Sequence, residues 1–150
     1  HAEAGGLHVD YRLASAEELA TAQPGIYDLV TCLELLEHVP DPAAVVAALA
    51  QLVRPGGDVV CSTLNRGLRS FAFAIVGAEY LMRLLPAGTH QYARLIRPSE
   101  LARWGRGAGL VLAHVAGLHY DPFARTTRVD SDPSVNYLAH FRKPPAPAAA

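Results

Sequence analysis

The sequence predicts an α/β domain built on parallel strands, with an antiparallel hairpin at one edge of the sheet. Three observations carry this. Tyr27-Asp28-Leu29-Val30-Thr31-Cys32-Leu33 is an almost unbroken apolar, β-branched run, the pattern of a strand covered on both faces. Behind Pro40-Asp41-Pro42, the residues Val45, Val46, Leu49, Leu52 and Val53 recur at helical spacing until Pro55-Gly56-Gly57, so proline opens a helix and glycine closes it. Asp58 to Leu64 is a second apolar run. Strand, crossover helix and strand make a βαβ unit, which is right-handed.

The remaining elements follow in order. Leu7 to Leu13 reads as an element in mid-fold, with a short strand from Val9 that ends near Ala14. Ser15, with Glu17 and Glu18 behind it, has the signature of an N-cap followed by acids in the first turn of a short helix. Pro24-Gly25 breaks that helix. From Phe71 to Leu85 the apolar positions Phe71, Ile75, Ala78, Met82 and Leu85 step by three and four, with Glu79 and Arg83 off the stripe, which predicts an amphipathic helix. Pro98-Ser99-Glu100-Leu101 starts another, closed by Gly105, Gly107 and Gly109. Leu110 to His119 and Asn136 to Phe141 read as two late strands joined through a polar loop. A connection without a helix makes them antiparallel. The expected organisation is one domain over residues 1–143, with a helical insertion at about 66–97, and a disordered Pro/Ala tail over 144–150.

Composition bounds the function. The chain has 150 residues, 51% of them hydrophobic and 18% charged, enough for one compact domain and unlike a disordered chain. It opens on His1 rather than Met, and the expectation is a fragment. No apolar run reaches the roughly 18 residues of a membrane span, and no charged region followed by an apolar one opens the chain. Cys32 and Cys61 each lie in an apolar strand-like run, where a small buried thiol is expected; a cytoplasmic setting fits. The net charge of -1 argues against general affinity for nucleic acid. It hides an asymmetry: residues 1–65 hold nine acids against two bases, whereas residues 66–106 hold seven arginines against Glu79 and Glu100. That arginine-rich segment, with the helix at Phe71 to Leu85, suits contact with an anionic membrane surface, peripheral and on the inner face, the alternative being a helix packed on the sheet. No Gly-x-Ser-x-Gly elbow, CxxC pair or P-loop is present, which disfavours common hydrolases, redox proteins and NTPases.

Chemistry in an open parallel sheet belongs outside the carboxyl ends of the strands. Two such ends are visible: Ala14-Ser15-Ala16, and Leu33-Glu34-Leu35-Leu36-Glu37-His38. Glu34, Glu37 and His38 are spaced to share one face of a helical turn. Convergence there would suit a divalent cation or a carboxylate-oriented histidine acting as base. The plain alternative is a solvated first turn, where acids favour the helix N-terminus.

The run Tyr27 to Pro42, followed by Leu52-Val53-Arg54-Pro55-Gly56-Gly57, resembles the later motifs of the class I methyltransferases. More specific are Cys61-Ser62-Thr63-Leu64-Asn65-Arg66, Val76-Gly77-Ala78-Glu79-Tyr80, Gly88-Thr89-His90, Gly117-Leu118-His119-Tyr120-Asp121-Pro122 and Val135-Asn136-Tyr137. Together, from Val9 to Phe141, these resemble the ubiquinone-biosynthesis O-methyltransferases. The resemblance implies the C-terminal portion of a Rossmann-like sheet and S-adenosylmethionine as cofactor. It also implies methyl transfer to a phenolic oxygen of a polyprenyl catechol or demethylubiquinol, in an assembly for ubiquinone biosynthesis. By position it places Leu33 against the cofactor and Ser15 and Ala16 where its adenine is approached. It makes Glu37 and His38 catalytic candidates and Glu34, Glu37 and His38 a candidate Mg²⁺ site. His90 and His119 become secondary candidates to line the acceptor pocket, while His8, His114 and His140 read as satisfied strand or surface histidines. The glycine-rich loop and the ribose-binding acid of such a domain are absent from the 150 residues, and their expected place is before His1. Two other readings stay open: a methyltransferase for another small molecule, and a non-catalytic module that binds a prenyl lipid or a partner.

Overall fold

Ser15 starts the first helix by satisfying backbone groups that helix geometry leaves open. Its Oγ accepts from Glu18 N at 3.1 Å, while its own N–H donates to Glu18 Oε2 at 2.8 Å, a capping box that opens α1 (Ala16–Ala22). The computed structural model describes residues 5–67, 92–121 and 124–147. The amphipathic helix expected over Phe71 to Leu85, His90, and most of the insertion expected at 66–97 lie outside the described residues.

After α1 come β1 (Tyr27–Leu33), a 3-10 turn at Leu36–His38, α2 (Pro42–Leu52) and β2 (Val53–Leu64). Asp41 caps α2, its Oδ1 accepting from Ala43 N at 3.0 Å and Ala44 N at 3.1 Å. At the other end Lys143 Nζ donates to Ala50 O at 2.7 Å and Val53 O at 2.8 Å, a cation on terminal carbonyls where the helix dipole favours it. β2 begins directly at Val53, five residues before the expected start, and absorbs Pro55-Gly56-Gly57 as an irregularity opposite Tyr27 to Leu29. A Cβ at Gly57 would lie 2.7 Å from Asp28 O and from Val53 Cγ2; only glycine lets the two strands approach there.

Then follow α3 (Pro98–Gly107), β3 (Val111–Asp121), β4 (Thr126–Asp130) and β5 (Asn136–Arg142). The described sheet has the order β1-β2-β5-β3-β4. β1 and β2 are parallel, as the βαβ reading requires, and β5 lies antiparallel to both β2 and β3. The late antiparallel pair is therefore present, but β5 sits inside the sheet. The stretch between them, expected as a polar loop, holds β4, and β4 forms the edge. Residues 144–147 carry no helix or strand.

Two expectations are corrected. Val9 to Leu13 forms no strand: Leu7, Val9, Tyr11 and Leu13 alternate at the strand period, yet all four are exposed. Among the described residues no strand lies beside them, and a strand needs a ladder partner to persist. β1 is also not doubly covered. It is the edge of the described sheet, with Leu29 and Leu33 both more than half exposed.

The core lies between the sheet and α2 with α3. Val46, Val53, Val59, Leu101, Leu110, Tyr137 and Phe141 are buried in one cluster, and the Tyr137 hydroxyl donates to Ile96 O at 3.1 Å, so its polar end is satisfied. Cys32 and Cys61 are register partners on β1 and β2 and both are buried. Hydrogen bonding to Cys32, then burial, pushes the Cys61 thiol up, which together with its full burial suits a packing position. Among the described residues no helix is long and apolar enough to cross a membrane.

Candidate functional site

The parallel pairing of β1 and β2 brings Leu33 level with Ser62, and the chain turns sharply just beyond. Glu34 has φ +52°, a left-handed conformation uncommon for a residue with a side chain. It is held there by Ser62. The Glu34 N–H is shared between Ser62 O and Ser62 Oγ, each at 3.1 Å, while Ser62 Oγ donates back to Glu34 Oε1 at 2.6 Å. The turn then tightens into the 3-10 segment, whose anchor, Leu36, is 1% exposed.

Within this turn the three polar candidates part company. Glu37 is 3% exposed, and its Oε2 accepts from Thr63 Oγ1 at 2.8 Å. Its Oε1 is buried with no hydrogen-bond partner among the described residues. His38, the next residue, is exposed, because successive residues of a 3-10 turn diverge by about 120°. Ser62 and Thr63 are successive strand residues that project to opposite faces, and each takes one glutamate with it. The expectation of a single helical face carrying Glu34, Glu37 and His38 is thereby corrected: Glu34 lies outside the helical turn. Among the described residues no three His, Cys, Asp or Glu side chains lie close enough to hold a metal ion.

Beside this turn a cleft of about 530 Å³ opens between the start of α1 and the start of α2, lined by Ala14, Ser15, Ala16, Glu17, Leu35, Val39, Pro40, Asp41 and Val45. Its size falls within the roughly 300–1,000 Å³ of small-molecule sites. Ser15 and Ala16, the residues expected on the adenine side, lie in its wall. Leu33 does not line it, although it ends β1 nearby. The opposite wall, Leu35 and Val39, escaped the sequence reading; the signal was two apolar residues that fit neither the strand period before them nor the α2 stripe after them. Ser62 and Thr63 were missed as individuals too. They are two hydroxyls ending an apolar strand, both buried, which calls for polar partners.

Outside this region, His119 Nε2 lies 3.0 Å from Asp130 Oδ1 and 3.1 Å from Asp132 O, so it belongs to the β3–β4 hairpin and not to the cleft lining. His140 Nε2 pairs with Asp58 Oδ1 at 2.7 Å, the satisfied strand histidine expected. Hydrogen bonds from His140 and then Arg142 hold the Asp58 carboxyl below its ordinary value. Arg66, from the arginine-rich segment, forms an ion pair with Glu100.

The family model described as "Methyltransferase domain" matches residues 6–115. Two similar curated proteins are both named "Ubiquinone biosynthesis O-methyltransferase". That of Methylococcus capsulatus is 58% identical over 146 residues, covering 97% of this chain and 62% of the relative. That of Leptothrix cholodnii is 56% identical over 141 residues, covering 94% of this chain and 60% of the relative. The chain thus spans about three-fifths of the length of these relatives. Among solved structures, one described by the conversion of a disulfide bond into a thioacetal group during echinomycin biosynthesis aligns with a TM-score of 0.66 at 20% identity, over 98% of this chain and 61% of that one. A Thermotoga maritima SAM-dependent methyltransferase, a possible histamine N-methyltransferase, aligns with a TM-score of 0.58 at 13% identity, over 81% of this chain and 58% of that one. At such identities the structural likeness speaks for the fold. The family match runs from before α1 into β3, through the whole of the cleft and the turn after β1, and this chain belongs to the methyltransferase domain family.

Proposed function

We propose that the complete protein methylates a phenolic oxygen of a polyprenyl catechol or demethylubiquinol in ubiquinone biosynthesis, with S-adenosylmethionine as donor. The observation that carries this is the 53–58% identity, over nearly the whole of this chain, to relatives that bear that name. The geometry adds a small-molecule cleft with apolar walls at Leu35 and Val39, next to a turn rich in proton-accepting groups, at the carboxyl end of β1. Apolar walls suit a flat adenine, and Ser15 and Ala16 are the proposed residues on its side of the cleft; Leu33, at the end of β1, is the proposed apolar contact to the cofactor. The cofactor supplies a methyl group on a sulfonium sulfur.

A phenol has a pKa near 10, so at neutral pH its nucleophilic form is scarce. His38, exposed at this turn, is the proposed base: its imidazole takes the phenolic proton, and Glu37 is the adjoining carboxylate. A second version is favoured by the orphaned Glu37 Oε1. Two carboxylates and an imidazole suit a hard cation such as Mg²⁺, which would act as a Lewis acid toward the acceptor. In the described arrangement Ser62 and Thr63 hold the carboxylates apart, so such a site would require Glu34 to leave Ser62. We further propose that the arginine-rich segment at 66–106 brings a cytoplasmic enzyme to an anionic membrane surface, near its prenylated substrate and other enzymes of the assembly. Pelleting with anionic but not neutral vesicles is the expected result.

The test uses the complete protein with S-adenosylmethionine and a prenylated catechol, with the product followed by mass spectrometry. The expected product is 14 mass units heavier by the chemistry of replacing O–H with O–CH₃. His38→Ala should lower kcat roughly a hundredfold or more. Chelation abolishes turnover if the cation version holds and spares it if His38 acts alone. No methylated product with any prenylated catechol would refute the proposal, and methylation of other small molecules only would move the protein to a different acceptor class.

A further inference from the structure

The end of β2 contains a device that the base and cation versions both leave unassigned. Thr63 is fully buried, its Oγ1 lies 2.8 Å from Glu37 Oε2, and Glu37 is itself 3% exposed. A buried carboxylate is costly unless its charge is met, and here one oxygen is met by a hydroxyl while the other, Oε1, has no partner among the described residues. The next residue back, Ser62, closes a reciprocal bond with Glu34. Two adjacent hydroxyls thus each immobilise one carboxylate of the same turn.

We infer that Thr63 is a positioning residue: its hydroxyl fixes the rotamer of Glu37 so that Oε1 alone is presented, at one place, to the group that Glu37 serves. The inference rests on the proposed role of Glu37. It differs from a packing role in a testable way, because threonine and valine have nearly the same shape while only threonine can donate to Oε2. Thr63 is not among the residues lining the cleft, so loss of its hydroxyl leaves cofactor binding in place.

The experiment takes the complete protein as wild type, Thr63→Val, Thr63→Ser, Glu37→Gln and Thr63→Val/Glu37→Gln. Mg²⁺ alone is titrated by calorimetry, S-adenosylmethionine binding is measured separately, and kcat and KM are recorded with a prenylated catechol. Removing the partner that orients a ligand or catalytic group typically costs roughly ten- to a hundredfold in metal affinity or activity. A loss of that size in Mg²⁺ affinity or kcat is expected for Thr63→Val. Thr63→Ser recovers most of it, and the cofactor Kd is unchanged. In the Glu37→Gln background, Thr63→Val adds little, since both changes disable one unit.

If wild-type protein binds no Mg²⁺, the cation version of the function fails, and the positioning role is then decided by kcat alone on the same four variants. Wild-type kcat and Mg²⁺ affinity in Thr63→Val overturn the inference, as does an effect that adds in full to that of Glu37→Gln. Should Thr63→Val fail to fold, Thr63→Ala takes its place in the cycle with the same expected non-additivity and the same overturning result.

Discussion

Gly105 shows how closely α3 is fitted to the sheet, and replacing it with alanine yields a signed prediction. By sequence Gly105 is one of three glycines expected to close the helix, but α3 runs through it to Gly107. By propensity alone, Ala for Gly inside a helix stabilises by about 1 kcal/mol. At this position a Cβ would stand 2.5 Å from Phe141 Cε1, 2.9 Å from Cδ1 and 3.1 Å from Cζ. Carbon atoms attract best at about 3.5–4.0 Å, so the ring must retreat by about 1 Å. Phe141 is 0% exposed and packed in the main core cluster, which leaves it no free space to enter. Overpacking of this kind costs about 1–3 kcal/mol, and against a ring that cannot turn away the upper half of that range applies. The net expectation is that Gly105→Ala destabilises by about 1–2 kcal/mol, read as a lower urea midpoint with an unchanged slope. Gly107→Ala is the internal control: no atom of the described residues lies within 4 Å of its Cβ position, so it is neutral or slightly stabilising. Phe141→Leu in the Gly105→Ala background should recover part of the loss. A Gly105→Ala protein as stable as wild type, or more so, would refute the claim that this glycine is there for the ring.

Ser15→Ala removes one half of the capping box and should cost about 1 kcal/mol in the same urea assay, with Ser15→Asp retaining most of the stability. Asp58 titrates below its ordinary value because His140 and Arg142 donate to it. Its contribution is therefore complete above the unfolded carboxylate pKa of about 4 and fades as pH falls through the lower folded value. Asp58→Asn should lower the thermal midpoint at neutral pH and converge with wild type in acid; curves that stay parallel over that range would contradict the assignment. The 150-residue chain by itself should show no micromolar affinity for S-adenosylmethionine in calorimetry. Among the described residues no glycine-rich loop borders the cleft, and Gly5 and Gly6 are not in its lining. Tight binding would mean that the cofactor-holding residues have been misplaced.

What the sequence disclosed about this fold is what local chemistry decides. The N-cap at Ser15, the Asp41-Pro42 start of α2 and the parallel order β1–α2–β2 need only neighbouring residues to be recognised, and the structure has all three, with β2 starting at Val53 instead of Asp58. What it concealed depends on partners far along the chain. Leu7, Val9, Tyr11 and Leu13 have the alternation of a strand, but alternation is a statement about faces, and a strand also needs an edge to pair with. Thr126-Thr127-Arg128-Val129 has ordinary strand propensity inside a stretch dominated by Asp and Pro, so only its pairing with Leu118 to Asp121 distinguishes β4 from a loop.

The candidate site follows the same division. That chemistry would gather after Leu33 was legible, because strand ends in such sheets are where loops converge. Its internal geometry was not, since the spacing of Glu34, Glu37 and His38 gives a shared face only if the helix is continuous through all three. One residue decides otherwise. Ser62 captures both the N–H and the carboxylate of Glu34, which fixes a left-handed turn that no helix can include, so Glu37 enters the regular turn alone and faces inward. Steps of three and four share a face only on a continuous helix, and the residue that breaks the helix here lies 28 positions downstream. It follows that Ser62→Ala should let Glu34 relax toward ordinary backbone angles and loosen the whole turn. Hydrogen exchange of the Glu34 and His38 amides, both bonded in the native turn, should then accelerate roughly tenfold or more, the consequence of losing about 1.4 kcal/mol of local stability. The amides of β1, held by their own ladder to β2, should exchange at wild-type rates. Acceleration spread evenly over β1 and the turn would mean that Ser62 supports the strand pair as a whole and does not set the conformation of Glu34.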